Sequence, residues 1–584
     1  MRLPSIVTLA HQTREVLLRF PWTIAAGALA AAAAIIAMDE HRHAEQEWAR
    51  IAMVAALGIP LSVALTLFAE ERGWSTARRA ALNAGGMALL VLFYLVWPGP
   101  ERKHEVIRYF QLSAGLHLLV AVLPFLGQPE TNAFWQYNRR LFLGILRAAV
   151  FSAVLFVGLA IALVALDKLF GVDVPEKLYP RLWLVIVFVV NTWIFLADVP
   201  RGLAQLAHDT SYPRVLKVFA QFVLTPLVFI YLVMLLAYLV KIVAGGEWPS
   251  GWIGWLVTSV AVAGLLGFLL VHPLRDDAGE AWIRTYTRWL FIGLIPAAIV
   301  LLVAFWKRVL PYGLTELRLL GVLLGFWLLA IAVSYTLRQG AGIRRIPLTL
   351  AVLLLLTIYG PLSVTSLSVA SQGRRLARLI AGPREGDRER EASAALRFLL
   401  EHGARSEVVA AFPSELPALG WDSLPGSRDG RDQAATRILA GAGMRYVSEH
   451  RELGDIDVQL NAQGQRATPI TGYDWMLKVS ARDTATVVAG ADSVRVRFDT
   501  TTRIVLARVG SDSLVFDLGR LAGMIEENPT QWWSYVPAER LRLEAVIPGR
   551  RRALLALESL DGRRMGDSVL VRRWQGTLFL GRAK

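Results

Sequence analysis

Over the first 370 residues the apolar positions neither alternate nor form a single helical stripe. They run almost unbroken in windows of about 20, parted by short polar gaps. Eleven windows have the length and apolarity of a membrane-crossing helix: 22–38, 51–69, 80–98, 106–126, 142–166, 182–199, 216–243, 252–271, 289–305, 319–336 and 347–370. Pro60, Pro124, Pro226, Pro296 and Pro361 fall inside them, which predicts a bundle with kinks whose neighbours satisfy the freed carbonyls. The first window follows a basic leader, yet "AAAAIIAMDEH" lacks the small-residue spacing of a cleavage site, so it reads as an uncleaved helix.

Past residue 370 the pattern changes twice. "REGDREREASAALRFLLEHGARSEVVAAF" is an amphipathic helix with Ala395, Leu396, Leu399 and Leu400 on its apolar side, and "PSELPALGWDSLPGSRDG" is a linker. From 445 the period turns to two in "SVRVRFDT", "TRIVLARV" and "DSLVFDL". Asp561-Gly562 and Gln575-Gly576, between apolar runs, read as hairpin turns. The expected fold is therefore an all-α integral membrane bundle of about eleven transmembrane helices (1–370), a helical neck and linker (371–444), and a β-rich (α+β) soluble domain (445–584). About 140 residues suffice for that domain to bury a core of its own.

Composition agrees: 55% of residues are hydrophobic and 19% charged, below the roughly 25% charge of soluble domains. The net charge of +15 suits lipid surface contact, and no basic domain interleaved with aromatics points to nucleic acid. The chain has no cysteine, which excludes disulfides, thiol nucleophiles and Cys-held metals. Loop Lys and Arg number seventeen on the N-terminal side and nine on the other, which places the N-terminus in the cytoplasm. Eleven crossings then put the tail outside a bacterial inner membrane. Arg374, Arg375, Arg378 and Arg384, just past the last window, favour the opposite reading, in which 347–370 re-enters at Gly360-Pro361.

No phosphate-binding loop, dinucleotide fingerprint, zinc-protease helix or nucleophile elbow is present. His41 and His43 sit beside acids, and Asp276, Asp277 and Glu280 share a loop; both groups read as solvated, and neither cofactor nor metal is expected. Polar groups deep in apolar windows are better candidates: His117, one turn from Ser113, and Asn191, with Asp198 and Arg201 following on the same helix. They form either a proton or ion track, or simply an interhelical bond from Asn191 with an interfacial Asp198–Arg201 pair. Arg147 reads as snorkelling.

Between two windows lies "PYGLTELR" (311–318). Pro311 stops one helix and Gly313 permits the reversal, while the Thr315 hydroxyl caps the next helix and Glu316 meets its positive end. Tyr312 flanks the turn, and Arg318 is left over by cap logic. "YGLTELRLLGVLLGFWLLAIAVSY" resembles the signature of an uncharacterised family of bacterial polytopic membrane proteins, domain of unknown function 4153. "NTWIFLADVPRG" (191–202), "GPLSVTSLSVASQGRRLARLI" (360–380, with Gln372 and Arg375) and "ITGYDWML" (470–477) are similar to its other segments. Asp198 departs from a usual Gly, and Leu319 from a common aromatic. The resemblance implies a recurring membrane architecture without an established reaction.

Three functional readings follow. The first is a non-enzymatic envelope protein whose bundle anchors a tail that binds an envelope component or protein partner. The others are a secondary transporter or channel, and a membrane enzyme acting on lipid or glycan. Bilayer lipid is the one partner expected in every case.

Overall fold

A computed structural model describes the chain apart from residues 1–5, 40–42, 128–130, 246–251, 276–280, 339–341, 383–386, 413–427, 448–454, 464–471, 482–485, 490–491, 500–501, 522–532, 548–549, 566–567 and 583–584. Two compact units emerge, one from 1–378 with 398–411, the other from 379–397 with 412–584. The stretch read as neck and linker is shared between them.

The first unit is helical. α1 (Ile6–Arg19) meets α2 (Pro21–Ala37) at a bend of 98°. α3 (His43–Glu71), α4 (Thr76–Val96), α5 (Lys103–Val122) and α6 (Thr131–Phe170) follow. α7 (Leu178–Val185) and α8 (Asn191–Ala197) are joined into one span by a π-helical turn at Ile186–Val190. α9 (Arg214–Phe219) and α10 (Thr225–Gly245) are joined in the same way at Ala220–Leu224. α11 (Trp252–Val271), α12 (Ala281–Tyr312), α13 (Glu316–Leu337), α14 (Arg345–Leu356) and α15 (Val364–Ala381) complete the series, with α17 (Arg405–Ala411) beyond, and α16 (Arg388–Glu401) is divided between the two units at 397/398. Val150, Phe151, Val154 and Ile161 of α6 stand exposed, as a lipid-facing helix requires.

Among the described residues nine helices are long and apolar enough to cross a membrane, or ten if the bent α1–α2 pair counts as one. The eleventh window, 347–370, is not a single helix. α14 has 12 residues, about 18 Å of rise against a hydrocarbon core of about 30 Å. The backbone then turns through 357–363, where Gly360 takes a φ of +86° and Pro361 has no N–H to give. This broken segment nonetheless follows α5 from end to end. Arg344 donates to the Phe125 carbonyl beyond the C-terminus of α5 at 2.6 Å. Midway along α5, Gln111 donates to Leu354 O and Thr357 Oγ1 at 2.9 and 2.7 Å, and a turn nearer its start the Arg108 guanidinium lies over the Tyr359 ring.

The five prolines behave differently. Pro60 and Pro296 sit within continuous helices, Pro124 lies in a 3₁₀ turn that ends α5, and Pro361 lies in the break. Pro226 comes straight after the second π turn, where wider winding absorbs its missing donor.

The second unit holds α18 (Arg428–Gly441) and ten strands: β1 (Asp455–Gln463), β2 (Trp475–Ser480), β3 (Thr486–Ala489), β4 (Asp492–Asp499), β5 (Ile504–Val509), β6 (Asp512–Asp517), β7 (Trp533–Pro537), β8 (Arg542–Ile547), β9 (Arg551–Met565) and β10 (Ser568–Gly581). One sheet runs β2-β10-β9-β1-β7 with β8 also on β9; the other is the meander β3-β4-β5-β6. All pairs are antiparallel except β1 with β7. The period-two pattern does what it predicted. Val494, Val496, Val505, Ala507, Leu514 and Phe516 of the meander share one core with Leu555, Leu560, Trp574 and Leu578 of the larger sheet. Arg551 pins the sheets together through Asp492 and Asp512, at 2.5 and 3.1 Å.

Two turn readings fail here. Asp561-Gly562 and Gln575-Gly576 lie inside β9 and β10, and the register shifts between Gln575 and Gly576. A Cβ at Gly576 would stand 2.9 Å from Leu557 Cα, so this glycine marks a bulge and a close backbone approach rather than a turn. The linker 413–427, the loop acids Asp276, Asp277 and Glu280, His41 and the His43 side chain lie outside the described residues.

Candidate functional site

The turn after α12 gathers most of the sequence candidates. Gly313 takes a φ of +67° and its N–H bonds Val309 O at 2.9 Å, closing α12. The carbonyls of the reversal then face outward with no helix to receive them, and side chains from two directions supply donors. Gln372 Nε2 of α15 donates to Tyr312 O and Leu314 O at 2.9 and 2.8 Å, and Ser371 Oγ accepts from Leu314 N at 3.0 Å. Arg318 Nη1 donates to Tyr312 O and Gly313 O at 3.2 and 3.0 Å. Arg318, unexplained by cap logic, therefore caps the preceding helix. The guanidinium groups of Arg318 and Arg375 lie 5.7 and 5.8 Å from the Tyr312 ring centre. Thr315 does stand at the N-cap with extended backbone, but its hydroxyl makes no cap bond. Its backbone carbonyl accepts from Leu319 N instead.

Beside this turn lies a buried ionic group that sequence reading did not assemble. Glu316 Oε1 meets His402 Nε2 at 2.5 Å, with both side chains under a tenth exposed. His402 Nδ1 faces Phe398 O at 2.7 Å. A carbonyl can only accept, so Nδ1 carries a proton. The short contact at Nε2 then needs a second proton, either on the ring or on Glu316. The pair thus holds one proton between its members and is neutral overall. The His402 ring is sandwiched between Phe398 and His104, at 4.0 and 4.2 Å. His104 meets Glu105 at 3.2 Å, and Glu105 is bridged to Arg108 at 2.6 Å. Gln372 Oε1 and Ser368 Oγ are buried without a hydrogen-bond partner.

The other candidates sit elsewhere. Asn191 Oδ1 accepts from Ser152 Oγ of α6 at 3.2 Å, the interhelical bond expected of a polar group in a span. Asp198 and Arg201 do not pair with each other. Asp198 takes Arg147 at 3.1 Å, and Arg201 takes Glu15 at 3.1 Å. Arg147 is thus ion-paired rather than merely snorkelling. The α8 exit is held by Arg19, which bonds Glu70 at 2.8 Å and the Val199 and Pro200 carbonyls at 2.8 Å each. α4 runs from this knot to the one around Glu105, so the two mark opposite ends of the bundle. His117 faces outward from α5 and bonds its own helix at Ser113 O.

At the start of α6, Arg140 bonds Asp209 at 3.0 Å with Arg139 close by. Hydrogen bonds from Ser211, joined by these two arginines, hold the Asp209 carboxyl down at about 2. Among the described residues no group of three or more His, Asp or Glu could hold a metal ion.

Length, apolarity and outward-facing aliphatic side chains define a multi-pass membrane protein with a β-rich C-terminal region. Residues 23–390 match the model of the domain of unknown function DUF4153, and the chain belongs to that family. The segments 191–202, 311–318 and 360–380 fall inside the match, while 470–477 falls outside. An uncharacterised protein from Pasteurella multocida is 24% identical over 292 residues, covering 49% of this chain and 48% of that protein. The chain therefore spans about half the length of the curated relative it matches. No solved structure matches it.

His104, Glu105, Glu316 and His402 are the residues sequence reading missed as a group. Glu316 was visible as a cap residue. A His-Glu pair opening an apolar window was the one further signal, since an acid at a membrane edge needs a partner.

Proposed function

We propose that this is a non-enzymatic protein of a bacterial inner membrane whose bundle anchors the C-terminal sandwich for binding to an envelope component or protein partner. The N-terminus is cytoplasmic, and the sandwich lies on the opposite side. What supports this reading is the fastening of the chain where it leaves the spans. Gln372 grips the 312–314 turn, and His402, beyond the next excursion, is locked to Glu316. Arg318, Glu316, His402 and the Gln372 amide nitrogen at this end are spent on holding backbone and one another. Topology follows from α5: if α5 crosses, the segment 345–363 crosses beside it, and α15 emerges where α5 begins.

The test is site-specific photo-cross-linking in intact cells at Met476 and Val488, both exposed on the sandwich. A discrete adduct with one envelope component or protein is expected at one of them at least. Adducts at neither position, with full protein levels, would contradict the proposal.

A further inference from the structure

At the end of the bundle far from the Gly313 turn, a cavity of about 210 Å³ is lined by Arg275, Arg284, Arg288, Thr285, Thr287, Tyr335 and Thr336. Sites that enclose a whole small molecule run to about 300–1,000 Å³, so this one takes a small group and leaves the rest outside. Its chemistry has one sign. Arg284 and Arg288 stand one turn apart near the N-terminus of α12, where the helix dipole already disfavours cations. Arg275 adds a third guanidinium just after α11, and its carbonyl accepts from Arg284 at 3.1 Å. Among the described residues none of the three has an acidic partner, and Thr287 Oγ1 is buried with no hydrogen-bond partner. Arg284 and Arg288 are exposed and Arg275 is half-buried, so the three guanidiniums are open to an anion from outside, and guanidinium forks match phosphate oxygens.

Beneath the cavity, Tyr335 stacks on Phe291 at 4.7 Å and meets Phe268 at 5.4 Å, which closes it from the bundle. Trp289 and Leu337 beside it are exposed, as expected where hydrocarbon gives way to head groups.

We propose that Arg275, Arg284 and Arg288 form a site for a phosphate anion, borne either by a lipid head group or by a free phosphate. The experiment follows thermal unfolding of the full chain in phosphatidylcholine nanodiscs. Inorganic phosphate is added in one arm, and phosphatidylglycerol is included in the other, both at constant ionic strength. A ligand that binds only the folded state raises the midpoint. A rise with phosphate identifies the free anion, and a rise only with phosphatidylglycerol identifies the lipid. Arg284→Gln/Arg288→Gln removes the Arg284 bond to Arg275 O as well, so its response is read against its own midpoint without anion, and that response should be weakened at least tenfold. Arg288→Lys should lose part of it. Wild type insensitive to both probes would overturn the proposal. So would an undiminished response in the double variant.

Discussion

Gly313 and Gln372 are two halves of one device. A side chain at 313 must accept a left-handed backbone and would put its Cβ 2.8 Å from Gln372 Nε2. Gly313→Val should therefore cost about 1–3 kcal/mol in strain and break the Gln372 bonds as well. Gln372→Ala leaves Tyr312 O with Arg318 alone and takes the donor from Leu314 O, at about 1–3 kcal/mol for that carbonyl if it stays dry. Both should lower the melting temperature in detergent, whereas Thr315→Ala should stay within about 0.5 kcal/mol, since its hydroxyl caps nothing. Glu316 and His402 invite a sharper comparison. Removing one member, as in His402→Phe, leaves a buried carboxylate alone and should cost about 3–5 kcal/mol. Glu316→Gln should cost far less, because its amide can donate to a neutral His402 whose Nδ1 proton still faces Phe398 O. Equal losses in the two variants, measured by thermal melting, would refute the proton assignment.

Long apolar windows were readable because a lipid-facing helix needs no partner pattern, only length and composition. The breaks needed more. Gly360-Pro361 flagged the weak point of 347–370, but α14 stops at Leu356, and no local pattern marks the contacts by which this segment lies along α5. Asp561-Gly562 shows the opposite failure: turn chemistry sits within a strand, because β9 has partners on both sides along its length. The misreading has a measurable consequence. Asp561 Oδ1 is buried without a partner, and burial raises its carboxyl above the ordinary value, with Arg573 opposing. A raised folded-state value means that the folded form binds the proton more readily than the unfolded one. The charge thus costs stability at neutral pH, and the cost fades as pH falls through the folded value. Asp561→Asn should melt higher than wild type at pH 7, and the gap should close in acid. A gap independent of pH would exclude ionisation as its cause.

Taken over the whole chain, the sequence conveyed the class of each unit but not the fastenings. Glu316 and His402 lie 86 residues apart, and Arg108 and Thr365 lie 257 apart, so no local pattern could join them. The proposal that the sandwich lies across the membrane from the N-terminal loops rests on the loop charges and on the partnership of 345–363 with α5. Because the chain contains no cysteine, single exposed thiols can be introduced one at a time. Thr76→Cys, at the start of α4, and Ser511→Cys, at the β5–β6 turn, are treated with a membrane-impermeant maleimide in spheroplasts and again after lysis. Labelling of Ser511→Cys before lysis, with Thr76→Cys labelled only after it, is the predicted result. Both positions reacting under the same condition would contradict the account.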